Sequence, residues 1–254
     1  MNRIRISANL ALLILAGALL VSLAAGSAWA STNLAGLWHF DEGVGTSAFD
    51  SSGNGNLGTL IGAPPLQTWP SGKFKTAVNL DGVDDYVQVT DSASLEPSVI
   101  TVELWVNSAA PGTFAYLVSK GSQGCSAPSY SFNTVGGSGG LFFDVWDGTR
   151  LVRSPEVPAA NIFNGYWHHV AGTLDGTTVR IYLDGAEVGT GRSVPSTFLG
   201  IKYDLPTTMA LLFGNYDAGG TCSFDFHITA CWTKCGSGAV RWAQTKFSPA
   251  PRRA

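Results

Sequence analysis

The chain has 254 residues, of which only 13% are charged, and its net charge is −3. With so few cations there is no basic stripe that could follow a phosphate backbone, which argues against nucleic acid as a partner. The length lies in the range of a single all-β domain with a sizeable buried core.

Residues 1–30 have the pattern of a secretory signal peptide. Arg3 and Arg5 form a short basic region, an apolar run extends from Leu10 to Ala25, and Ala28-Trp29-Ala30 supplies the small residues that signal peptidase needs. A retained membrane anchor is the weaker interpretation, because the run is short for a span and no basic cluster follows it. We expect cleavage after Ala30, a secreted, extracellular or cell-envelope location, and no membrane span in the mature chain.

The mature chain has the pattern of short strands separated by turns. Gly36 to Phe40 is followed by a polar turn loop from Asp50 to Asn56, and Tyr86 to Val89 alternates apolar with polar residues. In the segment Thr101 to Val106, apolar residues again take every second position, with Glu103 and Trp105 between them. No window carries the apolar stripe of an amphipathic helix.

Three Asp-Gly pairs lie between apolar runs, at Asp147-Gly148, Asp175-Gly176 and Asp184-Gly185. This dipeptide is the strongest short-range signal for a β-hairpin. About a dozen short strands at this spacing predict an all-β, two-sheet antiparallel jelly-roll sandwich.

Several strings, taken in order, resemble the bacterial laminin-G-like family of concanavalin A-like jelly-roll domains. They are Gly36 to Gly43, Asp50 to Asn56, Asn79 to Val87, Val102 to Val106, Val118 to Gly121, Trp167 to Thr173 and Val179 to Gly185. The resemblance covers Leu34 to about Thr229, so we assign residues 31–229 to one laminin-G-like domain. It implies two antiparallel sheets with a concave face, and a binding or adhesion module as the function.

The partner implied by the resemblance is a polysaccharide, a glycoconjugate or another surface ligand. A protein-interaction or structural role in an extracellular assembly, with a cell-surface or extracellular protein as partner, is the alternative.

The same fold also carries glycoside hydrolases, which need two closely spaced carboxylates. The chain has five glutamates, and none has an acidic residue two or four positions later. The chain has one Gly-x-Ser-x-Gly string, Gly136 to Gly140, but no helix pattern follows it as a nucleophile elbow requires, so we predict that the protein is not an enzyme.

Sugar binding uses an aromatic surface together with polar side chains. Trp105 and Trp146 lie in predicted strands, where core packing is the expected role. Trp69 lies in a proline-flanked loop and is the candidate ligand-contacting ring. Of the adjacent His168 and His169, we expect one to be a hydrogen-bonded core or rim residue.

Calcium is the candidate cofactor, in a structural role. Asp41, Asp50 and Asn54, together with loop carbonyls, offer the oxygen ligands that this ion prefers. The resemblance supports this, since members of the broader jelly-roll group often hold a structural Ca²⁺. An ordinary turn, in which these side chains bond their own backbone, is the alternative.

The resemblance also implies a disulfide between Cys125 and Cys222. Both cysteines fall in loops of a chain expected to be exported, and similar family members carry a pair in these two places. Two free buried thiols are the alternative.

The resemblance stops abruptly after Thr229. The family ends on a strand reading roughly Gly-x-Ile/Leu-Asp-Glu-Val-Arg-Ile-Trp, whereas this chain continues with Ala-Cys-Trp-Thr-Lys-Cys. We interpret residues 230–254 as the product of a one-base frameshift. Trp232 (TGG) followed by Thr233 (ACN) forces an Asp codon in the shifted frame, and the remaining bases permit Leu-Leu-Asp-Glu-Val-Arg-Ile-Trp-Arg-Arg-Ala-Leu-Gly-Ala-Asp-Glu-Ile through Phe247.

This interpretation has structural consequences. The final strand of the sandwich would be lost, a sheet edge would open, and residues 230–254 would be irregular or poorly packed. The missing Asp-Glu would remove further calcium ligands, and Cys231 and Cys235 would have no role of their own.

Overall fold

A computed structural model describes residues 34–62, 69–109, 114–124, 126–134 and 138–217, and the backbone of residues 240–248. This part of the chain forms sixteen strands, one short 3-10 turn (Ala93–Leu95) and one helical turn, α1 (Ala159–Ile162). The strands are β1 (Gly36–Trp38), β2 (Ser47–Ala48), β3 (Gly58–Ile61), β4 (Val78–Leu80), β5 (Tyr86–Val89), β6 (Ile100–Asn107), β7 (Tyr116–Ser122), β8 (Tyr130–Asn133), β9 (Phe142–Trp146), β10 (Leu151–Arg153), β11 (Trp167–Leu174), β12 (Thr178–Leu183), β13 (Ala186–Glu187), β14 (Arg192–Ser193), β15 (Thr208–Phe213) and β16 (Val240–Ser248).

The strands form two antiparallel sheets. Sheet A has the order β1-β16-β6-β11-β12-β13, with β4 paired to β16 and β14 paired to β12. Sheet B has the order β10-β9-β8-β7-β15-β5-β3-β2. The predicted two-sheet antiparallel jelly-roll sandwich is therefore confirmed.

The core lies between the two sheets and follows the alternation of the sequence. In β6, Val102, Leu104 and Val106 are fully buried, and the residues between them are only half-buried. Because side chains alternate across a strand, one face of β6 packs into the sandwich and the other faces outward. Sheet B supplies large apolar partners, among them Phe132 and Phe143, whose rings contact each other with centroids 5.0 Å apart.

The Asp-Gly turns make the hairpins that the sequence predicts. Asp175-Gly176 connects β11 to β12, and Asp184-Gly185 connects β12 to β13. Gly176 has a φ of +95°, a left-handed conformation that a residue with a side chain adopts only under strain. Asp175 locks the first turn: its Oδ1 accepts bonds from Thr177 N, Thr177 Oγ1 and Thr178 N, and its Oδ2 accepts one from Arg180 Nη1 at 2.7 Å.

We expect Asp175→Asn to lower the stability of the protein by about 1 to 2 kcal/mol at neutral pH. Burial would raise the pKa of Asp175, but the bonds from Thr177, Arg180 and Thr178 outweigh it and hold this pKa well below its usual value. A carboxylate with a depressed pKa stabilises the fold above the pKa of the unfolded chain, about pH 4, and loses this effect as the pH falls further.

Urea unfolding at a series of pH values tests this. The difference between the two proteins should be largest at neutral pH and should shrink below about pH 4. Asp204→Asn is the control, since the Asp204 side chain is 78% exposed and its ion pair with Lys202 is screened by water. A destabilisation of Asp175→Asn that does not change with pH would contradict the assignment.

The C-terminal segment differs in part from the expectation. The expectation of a lost final strand and an irregular segment is wrong for the backbone of 240–248, which forms β16 between β1 and β6, while poor packing of the segment stays a prediction. The sandwich leaves a gap for one strand there, and this segment fills the gap with backbone hydrogen bonds to both neighbours. Residues 230–239 and 249–254 lie outside the described residues, as do residues 1–33 with the predicted signal peptide. The frameshift itself stays a prediction about the gene.

None of the helical turns in the described part of the chain has the length or the apolar character that crossing a membrane requires.

Candidate functional site

The outer face of sheet B carries buried polar side chains across β8, β9 and β10. In β9, Phe143 and Val145 point into the core, so the alternate residues Phe142, Asp144 and Trp146 lie on the outer face. The strand register places Asp144 between Ser131 of β8 and Arg153 of β10. Asp144 is only 2% exposed although it lies on the outer face of the sheet. A buried carboxylate is costly unless nearby groups donate hydrogen bonds to it or balance its charge.

Two side chains supply those partners, and a third, Ser131, extends the network. Arg153 Nε donates to Asp144 Oδ1 at 2.9 Å, and Arg153 Nη2 donates to Asp144 Oδ2 at 2.7 Å. Asn133 Nδ2 donates to the same Oδ2 and to Ser131 Oγ, both at 2.9 Å. Burial would lower the pKa of Arg153, but the hydrogen bond and charge of Asp144 outweigh it and raise this pKa. The pairing fixes the guanidinium plane, which pre-organises this part of the face.

Aromatic rings flank this polar network. The guanidinium carbon of Arg153 lies over the Phe142 ring, 4.7 Å from its centroid. Tyr116 stacks on Tyr216 with centroids 4.7 Å apart, and the Tyr216 hydroxyl reaches the carbonyl of Ser126 at 2.7 Å. Burial raises the pKa of Tyr216 to about 12, so its hydroxyl is a neutral hydrogen-bond group at physiological pH.

An open cleft of about 670 Å³ adjoins the network, and we call it the arginine cleft. It lies where the edge strand β10 of sheet B approaches β14 of sheet A. Its lining combines charged, hydroxyl and apolar groups: Phe142, Arg150, Leu151, Val152, Arg153, Ser154, Pro155, Glu156, Arg192, Ser193 and Pro195. This mixture of planar polar groups and apolar surface can hold a ligand that has both hydroxyl groups and C–H faces.

The sequence did not predict this cleft. Arg150 precedes β10 of sheet B and Arg192 lies in β14 of sheet A, so only the folded sandwich brings these distant residues together. One local signal was present: Arg150 to Arg153 places two arginines around an apolar pair, directly after an Asp-Gly turn.

The predicted calcium ligands each have protein partners. Asp50 accepts four hydrogen bonds within 3.0 Å, from Leu37 N, Ser52 N, Ser52 Oγ and Asn56 N. Asn54 Nδ2 donates to two backbone carbonyls, and Asp41 forms an ion pair with Lys75 at 2.7 Å. The bonds of Asp50 to Ser52 are those of the turn alternative, and the bonds to Leu37, Leu34 and Ala35 connect the loop to β1 and the residues before it. Calcium at Asp41, Asp50 and Asn54 stays a prediction.

A different carboxylate group was missed at the sequence level. Asp81, Asp84 and Asp85 have ligand atoms within 4.8 Å of one another, the one such group among the described residues that could hold a metal ion. The signal was the Asp-Gly-Val-Asp-Asp run itself. Within it Val83 N donates to Asp81 Oδ1 at 2.8 Å and Asp81 N donates to Asp85 Oδ2 at 3.2 Å, so the run also folds as a turn.

The tryptophans differ from the expectations. Trp69 is half-buried rather than exposed: it packs against the core, and its indole N–H donates to the Gly45 carbonyl at 3.3 Å. Ligand contact at Trp69 therefore stays a prediction with a structural role against it. Trp105 lies on the outer face of sheet A and contacts Phe74 and His169, so the core role expected for it is wrong. Trp146 is buried, but on the outer face of sheet B.

His168 is a hydrogen-bonded rim residue, as predicted for one of the two histidines. Its Nδ1 lies 2.8 Å from Asp184 Oδ2, and its Nε2 lies 3.1 Å from Asn164 Oδ1. Both ring nitrogens therefore have partners other than a hydroxyl or thiol nucleophile.

Cys125 and Cys222, the predicted disulfide pair, lie outside the described residues, and so do Cys231 and Cys235.

Known proteins share this fold. The family model Laminin_G_3, of the concanavalin A-like lectin/glucanases superfamily, matches residues 81–231, more than half of the chain. Domain 4 of AbnA, a GH43 extracellular arabinanase from Geobacillus stearothermophilus solved in complex with arabinotriose, is similar with a TM-score of 0.57 and 18% identity, covering 85% of this chain and 92% of that chain. No curated protein sequence matches.

Two neurotoxin structures are similar to the same degree. The binding domain of botulinum neurotoxin DC, in complex with rat synaptotagmin II, has a TM-score of 0.57 and 11% identity over 85% of this chain. A structure of botulinum neurotoxin type C, whose cell entry depends on interaction with two ganglioside molecules, has the same TM-score, identity and coverage. The chain spans 48% of each neurotoxin chain. At these identities the likeness establishes a shared fold.

Proposed function

Because the chain belongs to the Laminin_G_3 family of the concanavalin A-like lectin/glucanases superfamily, we propose that it is a non-catalytic carbohydrate-binding module that acts outside the cytoplasm. The arginine cleft, whose Arg153 is held in place by the buried Asp144, is its ligand site. The leader-like residues 1–30 support the extracellular location.

One observation carries the proposal: the arginine cleft is lined by the guanidinium group of Arg153, which the buried Asp144 holds in place, and by exposed apolar surface beside it. Sugars present hydroxyl pairs that match the spacing of guanidinium, amide and carboxylate groups, and they present C–H faces that pack on apolar surface. Arg153 is held by two bonds to Asp144, and Leu151 beside it is 43% exposed. A fixed polar group beside an exposed apolar one is the arrangement that a saccharide ring requires.

The absence of catalysis is proposed from residue chemistry. The glucanases of this fold use carboxylates spaced along one strand, and no glutamate of this chain has an acidic residue two or four positions later. The Asp144 carboxylate lies buried beside the arginine cleft, and both of its oxygens accept hydrogen bonds from Arg153 or Asn133, so it is not positioned to attack a bound sugar. The structures bound to arabinotriose and associated with gangliosides support carbohydrate as the ligand class.

A glycan array followed by titration calorimetry tests the function. We expect binding to a restricted set of glycans, and we expect Leu151→Ala to weaken it about three- to tenfold, because the variant removes apolar contact area. Leu57→Ala is the matched control: Leu57 is 48% exposed and lies in the loop before β3, outside the arginine cleft, so its loss should leave affinity unchanged.

Other results would point elsewhere. A protein that binds no glycan but captures a defined extracellular protein would be the interaction module considered as the alternative. Release of reducing sugar from a bound polysaccharide would show that the protein is an enzyme. If Leu57→Ala and Leu151→Ala weaken glycan binding equally, the arginine cleft is not the binding site.

A further inference from the structure

Building on the proposed function, we infer that the arginine cleft selects acidic oligosaccharides, in which a carboxylate or sulfate on the sugar meets Arg150 and Arg192. The two arginines come from opposite sheets: Arg150 ends the turn between β9 and β10, and Arg192 begins β14. Both are exposed and line the same cleft. They therefore offer guanidinium groups on two sides of one ligand.

The cations of the cleft are not balanced by anions within the described part of the chain. Arg153 is satisfied by Asp144, but neither Arg150 nor Arg192 forms an ion pair with a described residue. The lining contributes a single carboxylate, that of Glu156. This excess of positive charge occurs in a chain whose net charge is −3, so it is a local property of the cleft.

The cleft is also unlike a general anion site. Leu151, Pro155 and Pro195 give it apolar walls, which would contribute nothing to a bare inorganic ion. Two unpaired arginines are too few for nucleic acid, whose binding typically neutralises several phosphates. Guanidinium groups bind carboxylate and sulfate through paired hydrogen bonds, and the walls can pack against sugar C–H groups. A charged glycan satisfies both features.

A short oligogalacturonide and the same chain with its carboxylates methyl-esterified are the first pair of probes. A sulfated dextran oligomer and unmodified dextran are the second pair, which distinguishes sulfate from carboxylate as the recognised group. We expect at least one acidic probe to bind about tenfold or more tightly than its neutral counterpart, with the difference shrinking as ionic strength rises.

Substitutions locate the effect. Arg150→Gln and Arg192→Gln should each weaken the acidic probe about three- to tenfold and leave the neutral probe unchanged, while Arg150→Lys should retain part of the affinity. Lys75→Gln is the control for general charge attraction, because it removes one exposed cation that pairs with Asp41, away from the cleft. If Lys75→Gln weakens binding as much as Arg150→Gln, the inference is overturned.

The outcomes separate this inference from the proposed function. Neutral glycans that bind as tightly as their acidic forms, with Leu151→Ala still weakening them, would overturn the selectivity and leave the function standing. If the acidic probes fail to bind while neutral glycans on the array do bind, the selectivity for acidic sugars is likewise overturned and the proposed function stands. Failure of every glycan would reject both.

Discussion

Restoring the reading frame after the Thr229 codon is expected to raise the stability of the protein by about 3 to 6 kcal/mol, the largest gain that we predict. The change is one inserted base, which converts the Ala230 codon into a Gly codon and lets the downstream bases encode an alternating strand. The figure corresponds to two additional apolar side chains buried against sheet A, each contributing about 1.5 to 3 kcal/mol.

The gap filled by β16 is the reason for this expectation. Among the described strands, β1 and β4 connect to the rest of sheet A only through β16. Register places Trp242, Thr245 and Phe247 opposite the core residues of β6, and the pairing is irregular between Trp242 and Thr245. One of the three positions is therefore polar, whereas the shifted frame encodes Val and Ile, with Arg between them, at the codons just before those of β16.

The gene sequence is the first check. If the shifted reading frame does not encode Asp-Glu-Val-Arg-Ile-Trp, the frameshift interpretation is wrong. Thermal and urea unfolding of the restored protein and of the 254-residue chain are the second. A version that stops after Thr229 serves as the control and should be the least stable, since it leaves the edges of β1 and β6 unpaired. Equal stability of the restored and the 254-residue chain would contradict the prediction.

Replacing Lys120 by methionine is expected to cost about 3 to 5 kcal/mol, the largest loss that we predict for a single substitution. Lys120 lies in the middle of β7 and is fully buried. Its Nζ donates to Asp91 Oδ1 at 2.5 Å and to the Met209 carbonyl, and it lies 3.7 Å from Glu96 Oε1. Removing this cation leaves two partly buried carboxylates beside each other without a counter-charge.

A second substitution and a pH series make this prediction specific. Lys120→Met combined with Asp91→Asn should recover part of the loss, because an apolar or neutral replacement of a whole ion pair is often tolerated. Lys75→Met removes an exposed lysine of a similar pair and should change stability little. Failure of the double variant to recover any stability would show that packing, and not charge, explains the loss.

The sign of the pH effect follows from Glu96. Burial raises its pKa, Lys120 lowers it, and Asp91 raises it again, so loss of Lys120 raises this pKa further. A carboxyl group with a raised pKa stabilises the fold at low pH and loses this effect as the pH rises. The deficit of Lys120→Met should therefore be smaller near about pH 5 than near about pH 8. A deficit that grows on acidification would contradict it.

The sequence predicts the fold much better than the site. Apolar alternation in β6 and the Asp-Gly turns around β12 are local signals, and the structure follows them closely. The same alternation placed Trp105 on the outward face, although composition alone suggested the core. The positions of Arg150 and Arg192 depend on the approach of two sheet edges, and no local pattern encodes such an approach.

Buried charge was unpredictable for a related reason. Lys120 lies within a strand that is otherwise uncharged, and its partners Asp91 and Glu96 lie in a separate loop after β5. The exposure of Trp69 was misjudged because a proline-flanked loop predicts exposure, whereas the Trp69 ring packs against the core. In each case the burial of the side chain is decided by contacts with residues distant in the sequence, which the neighbouring residues do not indicate.

The adjacency of β1 and β16 has a practical consequence for tethering. The chain enters the sandwich at Gly36 and leaves it near Phe247, and these two residues are register partners on neighbouring antiparallel strands. They lie at one edge of sheet A, and the arginine cleft lies beside β14 near the other. A fluorophore, a solid support or a neighbouring domain attached at either end would therefore be held on the side away from the cleft, with the glycan approaching from the opposite direction.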